Sequence, residues 1–393
     1  MTALYIVFWI CLFLVFYTYL GYGLLLFLMV KIKELFVTPK EYTFPEVLPE
    51  VTLFITAYNE EDVVNGKMQN CLSLDYPKDK LHIVWVTDGS DDQTNILLEK
   101  YKEASVYFET QRNGKTAAMN RGMQFVETPL VVFTDANTNL NGSAIMEIVR
   151  CFSNPRVGCV AGEKRIEKRE KDNAAGGGEG LYWKYESILK EYDSKLYSTV
   201  GAAGELFALR TELYEPVSKD TLLDDFMLSM NIAASGYKIA YCKEAYAVEG
   251  GSVGMKDEQI RKVRISAGGL QSIWRLRKLF NILKYGILSF QYISHRVLRW
   301  SITPCMFFAL FPINLVVICM HPTPFYITFF IIQCLFYLMG LRGKQLADKQ
   351  IRNKLLFIPY YFLFMNLNVI KGVSYLYARR RSKLGSWEKS TRR

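Results

Sequence analysis

Residues 51–60 have the sequence VTLFITAYNE, in which a run of β-branched and apolar residues is followed at once by Tyr58, Asn59 and Glu60. Such a run predicts a buried strand, so the polar residues are expected at its carboxyl end. Similar runs occur at residues 83–87, 130–134 and 157–161, with helix-like stretches at 61–73, 92–103, 114–126 and 143–152. This alternation predicts an α/β fold with a mostly parallel central sheet covered on both faces.

Carboxylates follow the next two predicted strands in the same way. Asp88 begins the sequence DGSDD at residues 88–92, and Asp135 begins DAN at residues 135–137. Any one of these residues is equally well explained as a helix N-cap, because Asp, Asn and Ser are preferred there. In a parallel sheet, however, the carboxyl ends of the strands share one edge, where ligands bind. The three polar strand ends together predict a ligand site at that edge.

Charged residues are distributed unevenly along the 393-residue chain. Residues 1–30 and 300–341 contain no Asp, Glu, Lys or Arg, although 22% of the whole chain is charged. A helical crossing of the bilayer needs about 20 apolar residues, so these stretches predict one N-terminal crossing and a hairpin of two. A wholly soluble enzyme is thereby excluded. Lys31 and Lys33 follow the first stretch, and the positive-inside rule places the N-terminus outside and the following residues in the cytoplasm.

A third apolar stretch, residues 355–370, leaves two alternatives open. It is short and contains Pro359, Asn366 and Asn368. If it crossed the bilayer, the basic tail at 379–393 would lie outside, against the positive-inside rule. An interfacial or re-entrant segment is therefore slightly favoured over a crossing.

Several functional classes are disfavoured by motif and composition. The sequence Gly114-Lys115-Thr116 is not part of a P-loop, because Glu109 stands where that pattern requires Gly. The eight cysteines form no C-x-x-C pair, which argues against a zinc site. The net charge of +10 comes partly from the tail and from the loop after residue 341, where anionic lipid explains it without nucleic acid.

Two further features suit the chemistry of phosphates and hydroxyl groups. Lys115 begins a predicted helix whose N-terminus favours anions, although a solvated surface lysine is the alternative. Asp224 and Asp225 begin another predicted helix, which ends at Gly236. Acidic residues at a helix start can simply complement the helix dipole. A carboxylate beside an acceptor hydroxyl can instead serve as a general base.

Taken in order, these motifs resemble those of the membrane-bound glycosyltransferase family 2 synthases, the group that contains cellulose, chitin, hyaluronan and poly-N-acetylglucosamine synthases. The resemblance covers about residues 50–300. The segments that carry it are Ala57-Tyr58-Asn59-Glu60, similar to P-x-Y-N-E; Asp88-Gly89-Ser90-Asp91-Asp92, similar to D-G-S-x-D; Gly114-Lys115 with Ala118-Met119-Asn120, similar to G-K-x-x-A-L-N; Asp135-Ala136-Asn137, similar to D-x-D; and Leu223-Asp224-Asp225, similar to T-E-D.

The resemblance implies a GT-A fold, a nucleotide-sugar donor that is usually a UDP-sugar, and inversion at C1. It implies that Asp135 and Asn137 ligate Mg²⁺ or Mn²⁺, and that Asp225, with Asp224 beside it, forms the catalytic pair, Asp225 being the base. The segment 201–205 resembles the one that lines the donor and acceptor pocket. The residues implied to contact the nucleotide-sugar are Ala57, Tyr58, Asn59, Glu60, Asp88, Lys115, Asp135, Ala136, Gly204 and Glu205.

The chain departs from the family pattern at three places. Asn137 replaces the second D-x-D aspartate, which removes one metal-compensating charge, and Asp224 replaces a longer Glu. The family's acceptor motif, Q-x-x-R-W, is not intact. Arg261 and Arg264 lie where its arginine is expected and are the predicted acceptor-binding residues. The sequence RVLRW at 296–300 keeps Arg-Trp but adjoins the membrane, which favours an interfacial anchor and puts processive polymerisation in doubt.

The sequence thus predicts a multi-pass cell-membrane glycosyltransferase that acts on a carbohydrate or lipid-linked acceptor, in extracellular or capsular polysaccharide synthesis. Its partners would be the donor, the acceptor and membrane lipid, with an exporter or a second copy of the chain possible and no nucleic acid. The alternative is a nucleotide-sugar-binding pseudoenzyme or partner subunit of a synthase complex. The predicted organisation is an N-terminal transmembrane helix (1–35), a cytoplasmic GT-A catalytic domain (45–265), an amphipathic interfacial segment (266–300), a transmembrane hairpin plus a further membrane segment (301–378) and a basic tail (379–393).

Overall fold

The structure is a computed structural model that describes residues 2–38, 42–167, 174–250, 254–349, 351 and 353–382. From residue 383 onward, the predicted basic tail lies outside the described residues. The helices are α1 Thr2–Phe16, α2 Tyr22–Phe36, α3 Glu61–Leu72, α4 Thr94–Leu98, α5 Lys115–Gly122, α6 Ala144–Cys151, α7 Ala174–Leu196, α8 Asp224–Ala234, α9 Met255–Arg275, α10 Ile282–Tyr285, α11 Ile287–Tyr292, α12 Leu298–Trp300, α13 Ile302–Met320, α14 Pro324–Asp348 and α15 Lys354–Ser382. Two segments have π-helical geometry, Tyr17–Gly21 and Ile293–Val297, and three are 3₁₀-helical, Met123–Phe125, Thr211–Leu213 and Arg277–Phe280.

Within the described residues, eight strands form one sheet in the order β3-β2-β1-β4-β7-β6-β8-β5. The strands are β1 Val51–Ala57, β2 Leu81–Asp88, β3 Ala104–Glu109, β4 Leu130–Asp135, β5 Thr138–Leu140, β6 Val157–Ile166, β7 Leu206–Arg210 and β8 Lys238–Glu249. Pairing is parallel throughout β3-β2-β1-β4 and between β6 and β8. It is antiparallel where β7 joins β4 and β6 and where β5 joins β8. The predicted α/β class is confirmed, with a sheet that is mixed.

Both faces of the sheet are buried, which explains why β1 is almost continuously apolar. On one face Ile55 and Trp85 pack in a core with Val64 of α3. On the other face Phe54 and Phe133 pack in a core with residues of α5 and α8. Successive side chains of a strand point to opposite faces, so one run of residues supplies both cores.

The helix predicted at 92–103 is shorter in the structure, where α4 covers Thr94–Leu98, and the strand that follows it, β3, was not predicted. Strand β3 lies at the edge of the sheet, and none of its residues is fully buried. An edge strand with half-exposed positions lacks the apolar run that marks a central strand. That is the physical reason why the sequence pattern did not reveal it.

Four segments of the described residues are long and apolar enough to cross a membrane, by length and composition: Thr2–Phe36, Ile302–Met320, Pro324–Asp348 and Leu355–Arg379. The turn between the second and third lies at His321–Thr323. The predicted boundary between 265 and 266 falls inside helix α9, which continues unbroken to Arg275.

Helix α15 contains the third apolar stretch and packs along both α9 and α14. Small residues permit these close approaches. A Cβ added to Gly372 of α15 would lie 2.7 Å from Cβ of Ser266 in α9, and one added to Gly343 of α14 would lie 2.2 Å from the carbonyl oxygen of Leu356. The helix is thus held against the lobe that carries the sheet as well as against the hairpin.

The first membrane segment is joined to the sheet-bearing lobe by a buried carboxylate, Asp193 of α7. One of its oxygens lies 2.6 Å from Nδ1 of His295 and the other accepts a hydrogen bond of 2.9 Å from Nε2 of Gln291. Tyr22 of α2 also donates its hydroxyl proton to Asp193. A buried carboxylate is tolerated because each oxygen has such partners. Three separate segments therefore meet at one side chain.

Candidate active site

A cavity of about 920 Å³ begins at the carboxyl ends of β1, β2 and β4 and extends to the membrane helices α1 and α15. The structure brings nearly all of the predicted site residues to its wall. Those that line it are Ala57, Tyr58, Glu60, Asp88, Lys115, Asp135, Ala136, Asn137, Gly204, Glu205, Asp224, Asp225, Arg261 and Arg264.

Asn59 is the predicted site residue outside the set that lines the cavity. Its backbone has a φ of 52°, in the left-handed region that Asn tolerates better than most residues. Its Nδ2 donates to Oδ1 of Asp91 at 2.6 Å, and the Asp91 amide donates back to its Oδ1 at 3.1 Å. Asn59 thus connects the loops that follow β1 and β2 and stabilises their positions next to the cavity.

At the far end of the cavity from the membrane, Arg112 lies over the ring of Tyr58, with 3.7 Å between the guanidinium carbon and the ring centroid. Asp88 fixes the neighbouring loop, since its Oδ2 accepts hydrogen bonds from the amides of Asn113 and Gly114 at 2.9 and 2.6 Å. The result is a planar cationic and aromatic surface beside a buried carboxylate. Such a surface suits a nucleoside base, which can stack on it.

Arg112 was not found by sequence reasoning. It lies in the loop after β3, the strand that the pattern did not reveal, three residues before Lys115. A basic residue so close to the predicted anion-binding helix start was the available signal.

In the middle of the cavity, Nζ of Lys115 lies 2.7 Å from Oδ1 of Asp135. Burial lowers the pKa of Lys115, but the charges of Asp135, Asp224 and Asp225 outweigh burial and raise that pKa above its usual value. Lys115 is therefore a fixed cation at the start of α5, as the sequence predicted for a diphosphate-binding position. A solvated surface lysine, the alternative, does not describe it.

Asp224 and Asp225 form the first turn of α8 and face the same cavity. Oδ1 of Asp225 accepts a hydrogen bond of 2.7 Å from the amide of Phe226. Burial and the charge of Asp224 raise the pKa of Asp225 to about 7, while Lys115 acts in the opposite direction. A carboxylate with a pKa close to neutrality is well matched to proton transfer at physiological pH.

The oxygen atoms around Asp135 are suited to a divalent cation only in part. Among the described residues, no group of three or more His, Cys, Asp or Glu side chains could hold a metal ion by itself. Asp135 and Asn137 supply oxygen atoms at the cavity wall. Mg²⁺ is commonly held by one or two carboxylates together with substrate phosphates, so these residues fit a cation that binds with a diphosphate.

At the membrane end, the sequence RVLRW at 296–300 contributes Arg296, Arg299 and Trp300 to the cavity wall. Trp300 packs edge-on against Phe226, the residue after Asp225, with 5.0 Å between ring centroids. A Cβ added to Gly269 would lie 2.6 Å from the indole, so this glycine makes room for it. Long-range packing turns these residues toward the site, so the segment contributes to the cavity wall as well as adjoining the first apolar helix of the hairpin.

The predicted acceptor arginines share the same wall. Arg261 is buried and pairs with Glu258 at 3.1 Å. Arg264 is also enclosed, and burial lowers its pKa. Both residues line the cavity together with the Arg-Trp segment, so the structure brings the two candidate acceptor motifs to one place.

A further set of charged residues at this end was missed from the sequence. Glu186 of α7 lies 2.5 Å from Arg296 and 3.0 Å from Arg299. Burial raises its pKa, but Arg296, His295 and Arg299 outweigh burial and hold the pKa well below its usual value. These residues are more than one hundred positions apart in the chain, so no local pattern identifies the cluster.

Comparison with known proteins was consistent with this geometry. The sequence profile of the family described as glycosyltransferase like family 2 matches residues 49–274. A poly-beta-1,6-N-acetyl-D-glucosamine synthase of Staphylococcus aureus (strain MSSA476) is 28% identical over 204 residues, which cover 49% of this chain and 48% of that protein. A beta-monoglucosyldiacylglycerol synthase of Synechocystis sp. is 28% identical over 206 residues, which cover 49% of this chain and 42% of that protein. The chain spans about half the length of these curated relatives.

Among solved structures, the mannosyltransferase PcManGT from Pyrobaculum calidifontis, in complex with GDP-Man and Mn2+, has a TM-score of 0.70 and 20% identity. The match covers 94% of this chain and 99% of that one. It shows the fold, and the predicted GT-A class with additional apolar helices is confirmed. With more than half of its residues inside the family match, this chain belongs to the family described as glycosyltransferase like family 2.

Proposed function

We propose that the chain transfers a sugar from a UDP-sugar to an acceptor hydroxyl at the cytoplasmic face of the cell membrane, with inversion at C1. The position of Gly204 carries this proposal. A Cβ added there would lie 3.3 Å from Oδ2 of Asp225 and 3.4 Å from Nζ of Lys115. The candidate base and the candidate diphosphate-binding cation thus face one point on the cavity wall, within reach of a single reacting sugar.

The donor would lie along the cavity with its nucleoside at Tyr58, Arg112 and Asp88. Its diphosphate would then reach Lys115 at the start of α5, where the helix N-terminus also favours anions. The site would exchange the Lys115–Asp135 ion pair for contacts to the diphosphate. A divalent cation held by Asp135 and Asn137 would neutralise charge on the departing diphosphate.

Asp225 would act as the general base. Its carboxylate takes the proton of the acceptor hydroxyl, and the oxygen attacks C1 on the side opposite the diphosphate. The bond between C1 and the diphosphate oxygen breaks, and the nucleoside diphosphate leaves with the bonding electrons. Such proton transfer typically contributes about 10² to 10⁴ in rate.

Two relatives support this reaction class. One is a poly-beta-1,6-N-acetyl-D-glucosamine synthase and the other a beta-monoglucosyldiacylglycerol synthase. We place the chain in polysaccharide or lipid-linked saccharide synthesis. The donor side of the cavity faces the sheet-bearing lobe, and the basic residues after residue 30 favour a cytoplasmic location of that lobe.

The decisive experiment measures nucleotide release by the purified full-length protein in lipid nanodiscs, with Mg²⁺ or Mn²⁺ and a panel of UDP-sugars and GDP-mannose. Asp225→Asn should lower transfer by about 10² to 10⁴ and leave nucleotide affinity nearly unchanged, because the base is not a nucleotide ligand. Asp62→Asn is the matched control, since Asp62 lies exposed in the first turn of α3, outside the cavity.

Two results would contradict the proposal. Transfer by Asp225→Asn at the wild-type rate would remove Asp225 from the role of base. Nucleotide binding without nucleotide release from any donor would instead identify a partner subunit that binds nucleotide-sugar without turnover.

A further inference from the structure

The cavity does not end at the candidate base. Beyond Asp225 its wall continues along the end of α1, the π-helical segment and the first half of α15, where Phe16, Tyr19, Leu20, Ile358 and Phe362 line it. These residues belong to two of the four segments that are apolar enough to cross a membrane. The reaction centre is therefore continuous with space between membrane helices.

This space reaches the outer surface of the helices. Phe16, Leu20 and Ile358 line the cavity, and yet their side chains are 51%, 59% and 55% exposed. Half or more of each side chain is thus open, so neighbouring side chains do not enclose the cavity wall at these positions. In a bilayer, the exposed sides of such helices face lipid, so the cavity has a lateral opening toward the membrane.

The depth of the opening follows from a neighbouring contact. Thr18 is hydrogen-bonded to Thr303 at 2.9 Å, and Thr303 lies in the first turn of α13, where the predicted hairpin enters the membrane. One side of the opening is closed by Tyr19, which donates to Asn366 and packs on Phe362 with 4.7 Å between ring centroids. With α13 entering the membrane at its first turn, the opening would lie at the level where lipid head groups meet acyl chains.

The residues that line the cavity become less polar toward the rim of this opening. Near Asp225 they include Lys190, which is buried, lies with its Nζ 5.7 Å from the ring centroid of Trp183 and is subject to the charges of Glu186 and Asp225. At the rim they are aliphatic and aromatic. A polar interior with an apolar mouth fits a molecule that has a polar head and an apolar tail, whereas a hydrated polymer would leave its hydroxyl groups unpaired at the mouth.

We propose that the acceptor is a membrane lipid whose polar head presents the hydroxyl group, and that it enters from the bilayer between α1 and α15. Its head reaches Asp225 and Lys190 while its chains stay in the opening. The lipid oxygen bonds to C1, its proton passes to the Asp225 carboxylate, and the nucleoside diphosphate leaves with the electron pair. This inference rests on the function proposed above and names the acceptor class for the same site.

The test uses the full chain in phosphatidylcholine vesicles that contain diacylglycerol, polyprenyl phosphate or the total lipid extract of the expression host. Labelled UDP-sugars and GDP-mannose are supplied, with and without soluble oligosaccharides, and the product is partitioned between butanol and water. We expect label in the organic phase, attached to a lipid hydroxyl. A photoactivatable diazirine diacylglycerol reports lipid entry independently of turnover.

Variants at the rim separate the opening from the reaction centre. Leu20→Trp and Ile358→Trp should reduce both lipid labelling and lipid glycosylation by about tenfold or more, because a larger side chain obstructs a fixed passage. Hydrolysis of the donor by water should be unaffected. The matched controls are Leu24→Trp and Leu355→Trp, whose positions are exposed on the same helices but do not line the cavity.

The outcomes distinguish this inference from the function on which it rests. Label confined to water-soluble or precipitable polysaccharide, or to polyprenyl phosphate, would overturn the hydroxyl-lipid acceptor and leave sugar transfer standing. Equal diacylglycerol photolabelling of the wild type and the rim variants would overturn the lateral route. Failure of the wild type to release nucleotide from any donor would overturn the proposed function and this inference together.

Discussion

The indole of Trp300 and the ring of Phe226 are in edge-on contact, inclined at 64°, directly beside the candidate base. The contact links a segment next to the membrane hairpin with the first turn of α8. Aromatic pairs of this kind contribute about 0.5 to 1.5 kcal/mol beyond their buried area. Trp300 therefore packs against the first turn of α8, next to Asp225, and lines the cavity.

Trp300→Leu is expected to lower transfer by roughly tenfold, because it removes both the ring contact and the acceptor surface. The loss should appear in the KM for the acceptor, with nucleotide affinity unchanged, and Trp300→Phe should retain most activity. Steady-state kinetics with the donor held saturating measure this. Trp274→Leu, at an exposed tryptophan of α9, is the control. An equal loss of donor and acceptor affinity in Trp300→Leu would indicate a purely structural role.

Gly204→Ala should impair catalysis without unfolding the protein. The new methyl group would meet the ends of two flexible side chains, Asp225 and Lys115, at distances slightly below ordinary contact. Displacement of reacting groups by about 1 Å can cost on the order of 10² in rate, so we expect a fall in kcat/KM of roughly 10- to 100-fold. Gly66→Ala in α3, where nothing lies within 4 Å, should keep full activity and stabilise the helix by about 0.5 to 1 kcal/mol. Wild-type kcat/KM in Gly204→Ala would show that the reacting sugar does not approach this point.

Transfer should decline as the pH falls through about 7, because the carboxyl group of Asp225 becomes protonated there and can no longer accept a proton. The charge of Asp224 disfavours ionisation of Asp225 and raises its pKa. Asp224→Asn removes that charge, so its acid limb should move to lower pH. The pH profile of kcat/KM measures both effects, with nucleotide binding followed in parallel. An unmoved acid limb in Asp224→Asn would assign the titration to another group.

Glu186→Gln should destabilise the protein by about 3 to 5 kcal/mol, because it removes the buried negative charge that pairs with Arg296 and Arg299. Thermal unfolding in nanodiscs measures the change. Glu191→Gln, on the same helix, is the control: Glu191 pairs with Lys195 and Lys243 at the surface, where such pairs contribute about 0 to 1 kcal/mol. Equal melting temperatures for the two variants would mean that the buried cluster is not held by charge.

The predictable part of the fold lies where local pattern and burial coincide. Strands β1, β2 and β4 are buried on both faces. Their continuous apolar runs, and the polar residues that follow, could therefore be predicted from the sequence. Edge strand β3 was missed for the opposite reason, since its residues are only partly buried. The antiparallel strand β7, which lies between β4 and β6, was also missed. The pairing of strands that are distant in sequence produces no periodic pattern of residues.

The candidate site divides in the same way. Asp88, Asp135 and Asp225 follow recognisable motifs and reach one cavity. Asn59 belongs to a motif but joins two loops, because its left-handed backbone turns its amide toward Asp91. Trp300 depends on packing against Phe226, a residue 74 positions earlier in the chain. Contacts of that range are set by tertiary structure and cannot be deduced from a single segment.

The contacts of the buried carboxylate Asp193 limit which truncated forms of the protein can fold. A fragment that begins after Phe36 would lack Tyr22, which donates to Asp193, and Lys33, whose ammonium donates to the carbonyl oxygens of Lys195 and Leu196 at 2.8 Å each. It would also uncover Leu189 and Leu196, which the second helix now shields. Removal of residues 1–36 would thus disturb α7. This helix also carries Glu186 and Lys190, which line the cavity. Crystallisation and inhibitor screening therefore require the intact chain.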